Sequence, residues 1–203
     1  MYQKTEEKLE KIARKHQGVF TLNDAKEVGI SQTTVYRLRK SGKIANIYRG
    51  IYQLNDQFNI SASSPEYLAV KSRVPDAVLC CISALYHHEL TTEIPGSVHI
   101  AINRNKSIPK IDYLPLEIYR MQKTTLSQGV QTLSVGGVMM KIFSPEKTIA
   151  DCFKYRNRIG VDIAIEGLKR YLERPDANIS SILKMADITR VSKIIEPYLE
   201  ALV

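Results

Sequence analysis

Residues 19–54, VFTLNDAKEVGISQTTVYRLRKSGKIANIYRGIYQL, constrain the fold more than any other stretch of the chain. Thr21 stands three residues ahead of Asp24, the spacing of a capping box, in which each side chain bonds the other residue's backbone N–H. The spacing predicts a helix opening at about Leu22. It should close at Gly29, since glycine accepts the left-handed backbone common just past a helix end. Ser31 is a good cap for a second helix, Gln32 to about Ser41, which Gly42 ends. Two short helices joined by a turn that contains glycine read as a helix-turn-helix. KIANIYRGIYQL then alternates apolar and polar residues around Arg49-Gly50, which predicts strands at Ile44–Tyr48 and Ile51–Leu54 and makes the motif winged.

The second helix sorts its side chains into two faces. At about 100° per residue, Ser31, Thr34, Val35 and Leu38 share one arc, while Gln32, Thr33, Tyr36, Arg37 and Lys40 fill the opposite one. The second set carries an amide, a hydroxyl, a phenol and two cations, groups that bond base edges and phosphates. No acid occurs between Glu27 and Asp56, whereas Arg37, Arg39, Lys40, Lys43 and Arg49 all fall there. A run of positive charge without acids suits a polyanion, because binding releases condensed counterions. The surface expected to meet DNA is therefore Ser31, Gln32, Thr33, Tyr36, Arg37, Arg39, Lys40 and Lys43, with Arg49 at the wing tip. The bland alternative is a solvated helix with no DNA role.

The remaining composition narrows the choice of partner. Lys and Arg number 29 against 21 Asp and Glu, a net charge of +8, and the pI is near 9.3. That balance favours nucleic acid or another acidic partner. No apolar run reaches the roughly 18 residues of a membrane span. The opening MYQKTEEKLEKIARKH has no apolar signal core, and three cysteines, two of them adjacent, make no disulfide framework. A reducing cytoplasm is the expected compartment.

Taken in order, residues 5–17 predict a first helix with Leu9, Ile12, Ala13 and His16 on one face, His16 being read as a bonded structural histidine. Polar, Ser- and Asn-rich residues up to Pro65 mark the join between domains. A first domain is placed at residues 1–58, a linker at 59–65 and a second domain at 66–203. There, Tyr67–Lys71 predicts a short helix and Pro75–His88 one long buried helix. Strands are expected at Val98–Ile102 and Leu116–Arg120, and a hairpin at Val130–Val135 and Val138–Phe143 around Gly136-Gly137. Ser144-Pro145-Glu146 opens a helix running to about Arg156, and three more helices follow. The fold class is α+β: an N-terminal winged helix-turn-helix domain, then a mixed α+β domain with a helical C-terminal part.

Four blocks, IYRGIYQL, ISALYHHELTTEIPGSVHIAINRN, GGVMMKIFSPEKTIADCFKYRNRIGVDIAIEGL and, within the last, SPEKTIADCFKYRN, resemble the AbiEi family of antitoxins. That family belongs to type IV toxin–antitoxin, or abortive infection, systems. The resemblance implies a winged helix that represses the promoter of its own operon. It also implies a second domain that counters a nucleotidyltransferase-like toxin, in general without a stable complex. Operator DNA and that toxin are the partners it implies; because a lone winged helix buries little surface, cooperative loading on inverted repeats is expected.

Chemistry is sparse in the sequence. His87-His88 point about 100° apart on a helix, and Cys80-Cys81, Cys152 and His99 lack zinc-site spacings. There is no phosphate-binding glycine loop and no nucleophile elbow, so neither an enzyme, a metal nor a cofactor is expected. Lys147, Asp151 and Lys154 fall on one helical face, with Arg156 and Arg158 just after. This cluster reads either as an intrahelical salt bridge on a solvated face or, by the resemblance, as an antitoxin surface meeting RNA, a nucleotide or a partner. Two other function classes stay open: a protein-interaction module whose basic helix binds an acidic protein, and a nucleic-acid-processing enzyme with its site in the second domain.

Overall fold

A computed structural model of the chain describes residues 2–15, 19–48, 50–54, 65–107, 114–135 and 138–202. It divides into two compact units. The first is formed mainly by Met1–Pro75, the second by Asp76–Ile108, Pro115–Leu133 and Met139–Val203.

The first unit runs α1 (Tyr2–Lys15), β1 (Val19–Thr21), α2 (Leu22–Glu27), α3 (Gln32–Lys40), β2 (Ile44–Tyr48), β3 (Ile51–Leu54) and α4 (Pro65–Arg73). The capping box forms as the spacing requires. Thr21 N donates to Asp24 Oδ2 at 2.7 Å, and Asp24 N donates to Thr21 Oγ1 at 3.3 Å. Gly29 takes φ +78°, which turns the chain from α2 into α3. Leu9, Ile12 and Ala13 of α1 pack with Phe20, Ala25, Val35, Leu38, Ile44 and Leu54 into one core. The wing strands match their expected bounds, but the sheet has a third member. The short strand β1 pairs antiparallel with β3, giving the order β1-β3-β2. Three residues are too few to show an alternation, so β1 carries no sequence signal of its own. His16 and Arg49 lie outside the described residues, as does most of the expected linker.

The join falls later than the composition of the chain predicts. Helix α4 packs on β1 and β2, with Tyr67, Leu68, Ala69 and Val70 buried. Its last residue, Arg73, bonds to Thr21 and forms an ion pair with Asp24. Residues 66–75 thus belong to the first compact unit.

The second unit runs β4 (Val78–Leu79), α5 (Cys81–His87), β5 (Val98–Asn103), β6 (Leu116–Met121), α6 (Lys123–Leu126), β7 (Val130–Val135), β8 (Val138–Phe143), α7 (Pro145–Lys154), α8 (Arg156–Ile159), α9 (Val161–Leu172), α10 (Ile179–Thr189) and α11 (Ser192–Leu202). Its sheet has the order β6-β5-β4-β8-β7, with β4 antiparallel to β5 and parallel to β8, and β5 parallel to β6. The single long helix expected over Pro75–His88 is a correction: Val78–Leu79 is the central strand of this sheet, and the helix begins only at Cys81. A fully buried strand and a buried helix both read as a plain apolar run, and here the strand is only two residues long. Cys81 makes the switch with φ +45°, outside the usual range for a residue with a side chain.

Helix α7 is the hub. Ser144 caps it by accepting from Lys147 N, Pro145 fills its first turn, and α5, α9, α10 and α11 all pack on it. Every residue from Lys147 to Phe153 is buried. Gly167 of α9 allows the approach to α5: a Cβ there would lie 2.9 Å from a methyl of Leu85.

Candidate nucleic-acid interface

The candidate interface is built on α3. Ser31 starts the helix, its Oγ accepting from Thr34 N at 3.2 Å and lying 3.0 Å from Thr34 Oγ1. Gly42 stops it at φ +75°, where Gly42 N bonds Arg39 O and Lys43 N bonds Leu38 O. Between these stops Val35 and Leu38 are buried, each contributing on the order of 1.5–3 kcal/mol by leaving water. That anchorage fixes the rotation of the helix. Gln32, Thr33, Tyr36, Arg37, Arg39 and Lys40 are consequently all exposed, and Tyr36 shows 58% of its surface.

Among the described residues, Arg37, Arg39 and Lys40 are paired with no carboxylate. The Lys40 ammonium instead lies 5.9 Å from the centre of the Tyr36 ring. All three cations sit in the last turn of α3, where the helix dipole favours positive charge by about 0.3–1 kcal/mol. The exposed face thus offers three cations, a phenol, an amide and a hydroxyl to one side of a nine-residue helix. Two members of the expected surface are otherwise engaged. Ser31 is exposed but its hydroxyl is the cap, and Lys43 pairs with Glu6 of α1. The Lys43–Glu6 pair is solvent-exposed and worth about 0–1 kcal/mol, so a phosphate can displace Glu6 at little cost.

The cluster on α7 and α8 needs correction. Lys147 and Asp151 form an ion pair, but both are wholly buried, so neither belongs to any surface. Their spacing of four residues would face solvent on an exposed helix; α7 is enclosed by its neighbours, and the same stripe faces the core. The Lys147 ammonium also lies 4.3 Å from the centre of the Phe143 ring. Burial pushes the Asp151 carboxyl up to about 6, against the pull of the Lys147 charge, and its Oδ1 has no hydrogen-bond partner among the described residues. The other three cations do reach the surface. Lys154 is exposed, Arg156 donates to Phe153 O at 2.9 Å, and Arg158 pairs with Glu117 and lies 4.2 Å from the Tyr119 ring centre.

Cys80, Cys81 and Cys152 are all buried free thiols, and burial pushes Cys80 and Cys152 well above the ordinary thiol range. His88 Nε2 lies 2.7 Å from Phe143 O, and His99 Nδ1 lies 3.1 Å from the Tyr119 hydroxyl, so both imidazoles are bonded within the fold. Among the described residues no group of three or more His, Cys, Asp and Glu side chains is placed to hold a metal ion. Nor is any helix long and apolar enough to cross a membrane. One feature of the second unit has no counterpart in the sequence pattern. Arg104, Arg120 and Arg190 line a single cleft with Lys154, although the four are far apart in sequence and share no periodicity.

Residues 7–55 match the family model described as "Transcriptional regulator, AbiEi antitoxin". That stretch takes in most of α1 and continues through β3, and it stops short of the blocks in the second unit. No curated protein matches the chain. Among solved structures, the chain is similar to the RV2827C protein from Mycobacterium tuberculosis, with 14% identity, a TM-score of 0.45, and coverage of 97% of this chain and 81% of that one. The N-terminal winged helix of this chain, residues 7–55, is thus similar to the AbiEi antitoxin transcriptional regulators.

Proposed function

We propose that the chain is a DNA-binding autorepressor and antitoxin of a type IV toxin–antitoxin system, acting in the cytoplasm against a nucleotidyltransferase-like toxin. The observation that carries the DNA half is the outward face of α3: Gln32, Thr33, Tyr36, Arg37, Arg39 and Lys40 exposed together, with no acid among the described residues set against the cations. In this reading α3 enters the major groove. Arg37, Arg39, Lys40 and Lys43 meet phosphates, Gln32, Thr33 and Tyr36 reach base edges, Ser31 stays the cap at the groove edge, and Arg49 extends from the wing. A single helix of this size buries little, so two copies load cooperatively on inverted repeats. Lys154, Arg156 and Arg158 supply the toxin-countering surface of the second unit.

Gel shifts with the DNA upstream of the gene test the reading. Wild type binds that DNA in preference to unrelated sequence. R37A/K40A weakens binding, and the slope of log affinity against log salt falls by about 0.9 for each phosphate that is no longer neutralised. Equal affinity and slope in the two proteins refute it. Salt-sensitive binding without sequence preference, together with a co-purifying acidic protein, would instead support an interaction module.

A further inference from the structure

The second unit contains a cleft of about 510 Å³ whose lining includes Arg104, Arg120, Lys154 and Arg190, and no carboxylate among the described residues. Its size lies within the ~300–1,000 Å³ of small-ligand sites. Converging cations repel one another unless an anion joins them, and here nothing in the lining offsets them. We propose that this cleft binds an oligophosphate group, as carried by a nucleoside triphosphate or by the 5′ end of an RNA.

Three observations beyond charge point to such a ligand, two of them to its phosphates and one to an attached base. Arg120 is pre-aimed: its Nη1 donates to Arg104 O at 2.9 Å and to Lys106 O at 3.1 Å, which fixes the guanidinium and leaves its other N–H groups for a ligand. A planar fork held in this way matches two phosphate oxygens at once. Arg190 is the C-cap of α10 with φ +62° and ψ +45°, a left-handed position that glycine fills without penalty. The chain places a cationic side chain there despite the backbone cost, at the rim of the cleft. Tyr155 lines the same cleft and presents an aromatic ring beside Lys154, whose ammonium lies 5.8 Å from the ring centre. A base attached to the phosphates can stack on such a ring. The proposal is independent of the α3 reading, since no residue is shared with it.

Isothermal titration of inorganic triphosphate, ATP and a short 5′-triphosphorylated RNA into the full chain tests it. Wild type binds triphosphate, and R104Q and R190G each weaken binding about tenfold or more, as expected when one charge-assisted hydrogen bond is removed. R190G melts no lower than wild type, because glycine relieves the left-handed backbone; a merely structural arginine would show a lowered melting temperature. Tighter binding of ATP than of triphosphate identifies free nucleotide as the source, and tighter binding of the RNA identifies an RNA end. R37A/K40A binds triphosphate like wild type, so failure of the DNA reading leaves this one standing. Absence of binding to all three probes, or equal affinities in wild type and both cleft variants, overturns it.

Discussion

Replacing Lys147 with methionine probes the buried pair at the centre of α7. In the native chain the Asp151 carboxyl, pushed up to about 6, already titrates well above the ~3.9 of an unfolded aspartate. That difference amounts to about 3 kcal/mol against the ionised form at neutral pH, so desolvation outweighs the attraction to Lys147. In K147M the attraction is gone and Asp151 must stay protonated or remain as a lone buried charge. At about pH 7.5 the expected loss is about 3–5 kcal/mol, a large part of the ~5–15 kcal/mol that holds a domain together. The loss should shrink as pH falls towards about 5, because protonation then costs less. K147M/D151L, which replaces both charges by apolar groups, should recover wild-type stability or exceed it by about 1–4 kcal/mol. Urea denaturation of the three proteins across that pH range is the assay. A pH-independent loss in K147M, or a double variant weaker than K147M, would show that burial of the Lys147–Asp151 charges does not set this stability.

Three further outcomes follow from the geometry. Wild type itself should lose about 3 kcal/mol of the stability contributed by Asp151 as pH rises from about 4 to above about 6. A raised carboxyl pKa means that the fold binds its proton more tightly than the unfolded chain, and the gain is lost once both are ionised; denaturation midpoints across that range check it. Thr21→Ala removes the cap on Asp24 N and the hydroxyl bonded to Asp24 and Arg73, and should cost about 1–2 kcal/mol by chemical denaturation. Gly129→Ala places a Cβ 2.8 Å from Lys147 Cβ and 3.2 Å from Ser144 Oγ at φ +62°, and should cost about 1–3 kcal/mol, seen as a lowered melting temperature.

The winged helix was legible because its signals are local. The Thr21–Asp24 spacing, Ser31, Gly29, Gly42 and the alternation around Gly50 each act within a few residues, and they set α2, α3, β2 and β3 nearly to the residue. The hairpin of β7 and β8 and the start of α7 at Ser144-Pro145 were legible for the same reason. What escaped was set by tertiary packing. The two-residue strand β4 exists because β5 and β8 flank it, and α4 joins the first unit because Arg73 meets Asp24 and Thr21 from far along the sequence. Lys147 and Asp151 looked like a surface pair because helical spacing gives the angle of a stripe and not what covers it. The cleft cations share no sequence pattern, and only the packing of β5, β6, α7 and α10 brings them together.

The proposed function places the outward face of α3 in a major groove. Dimethyl sulfate methylates guanine N7, which lies in that groove, so footprinting on the DNA upstream of the gene tests the placement directly. Guanine N7 protection is expected within the bound site, and it should be abolished in R37A/K40A at the same protein concentration. Full occupancy of the site with every guanine N7 still reactive, or with the same protection in R37A/K40A, would contradict it.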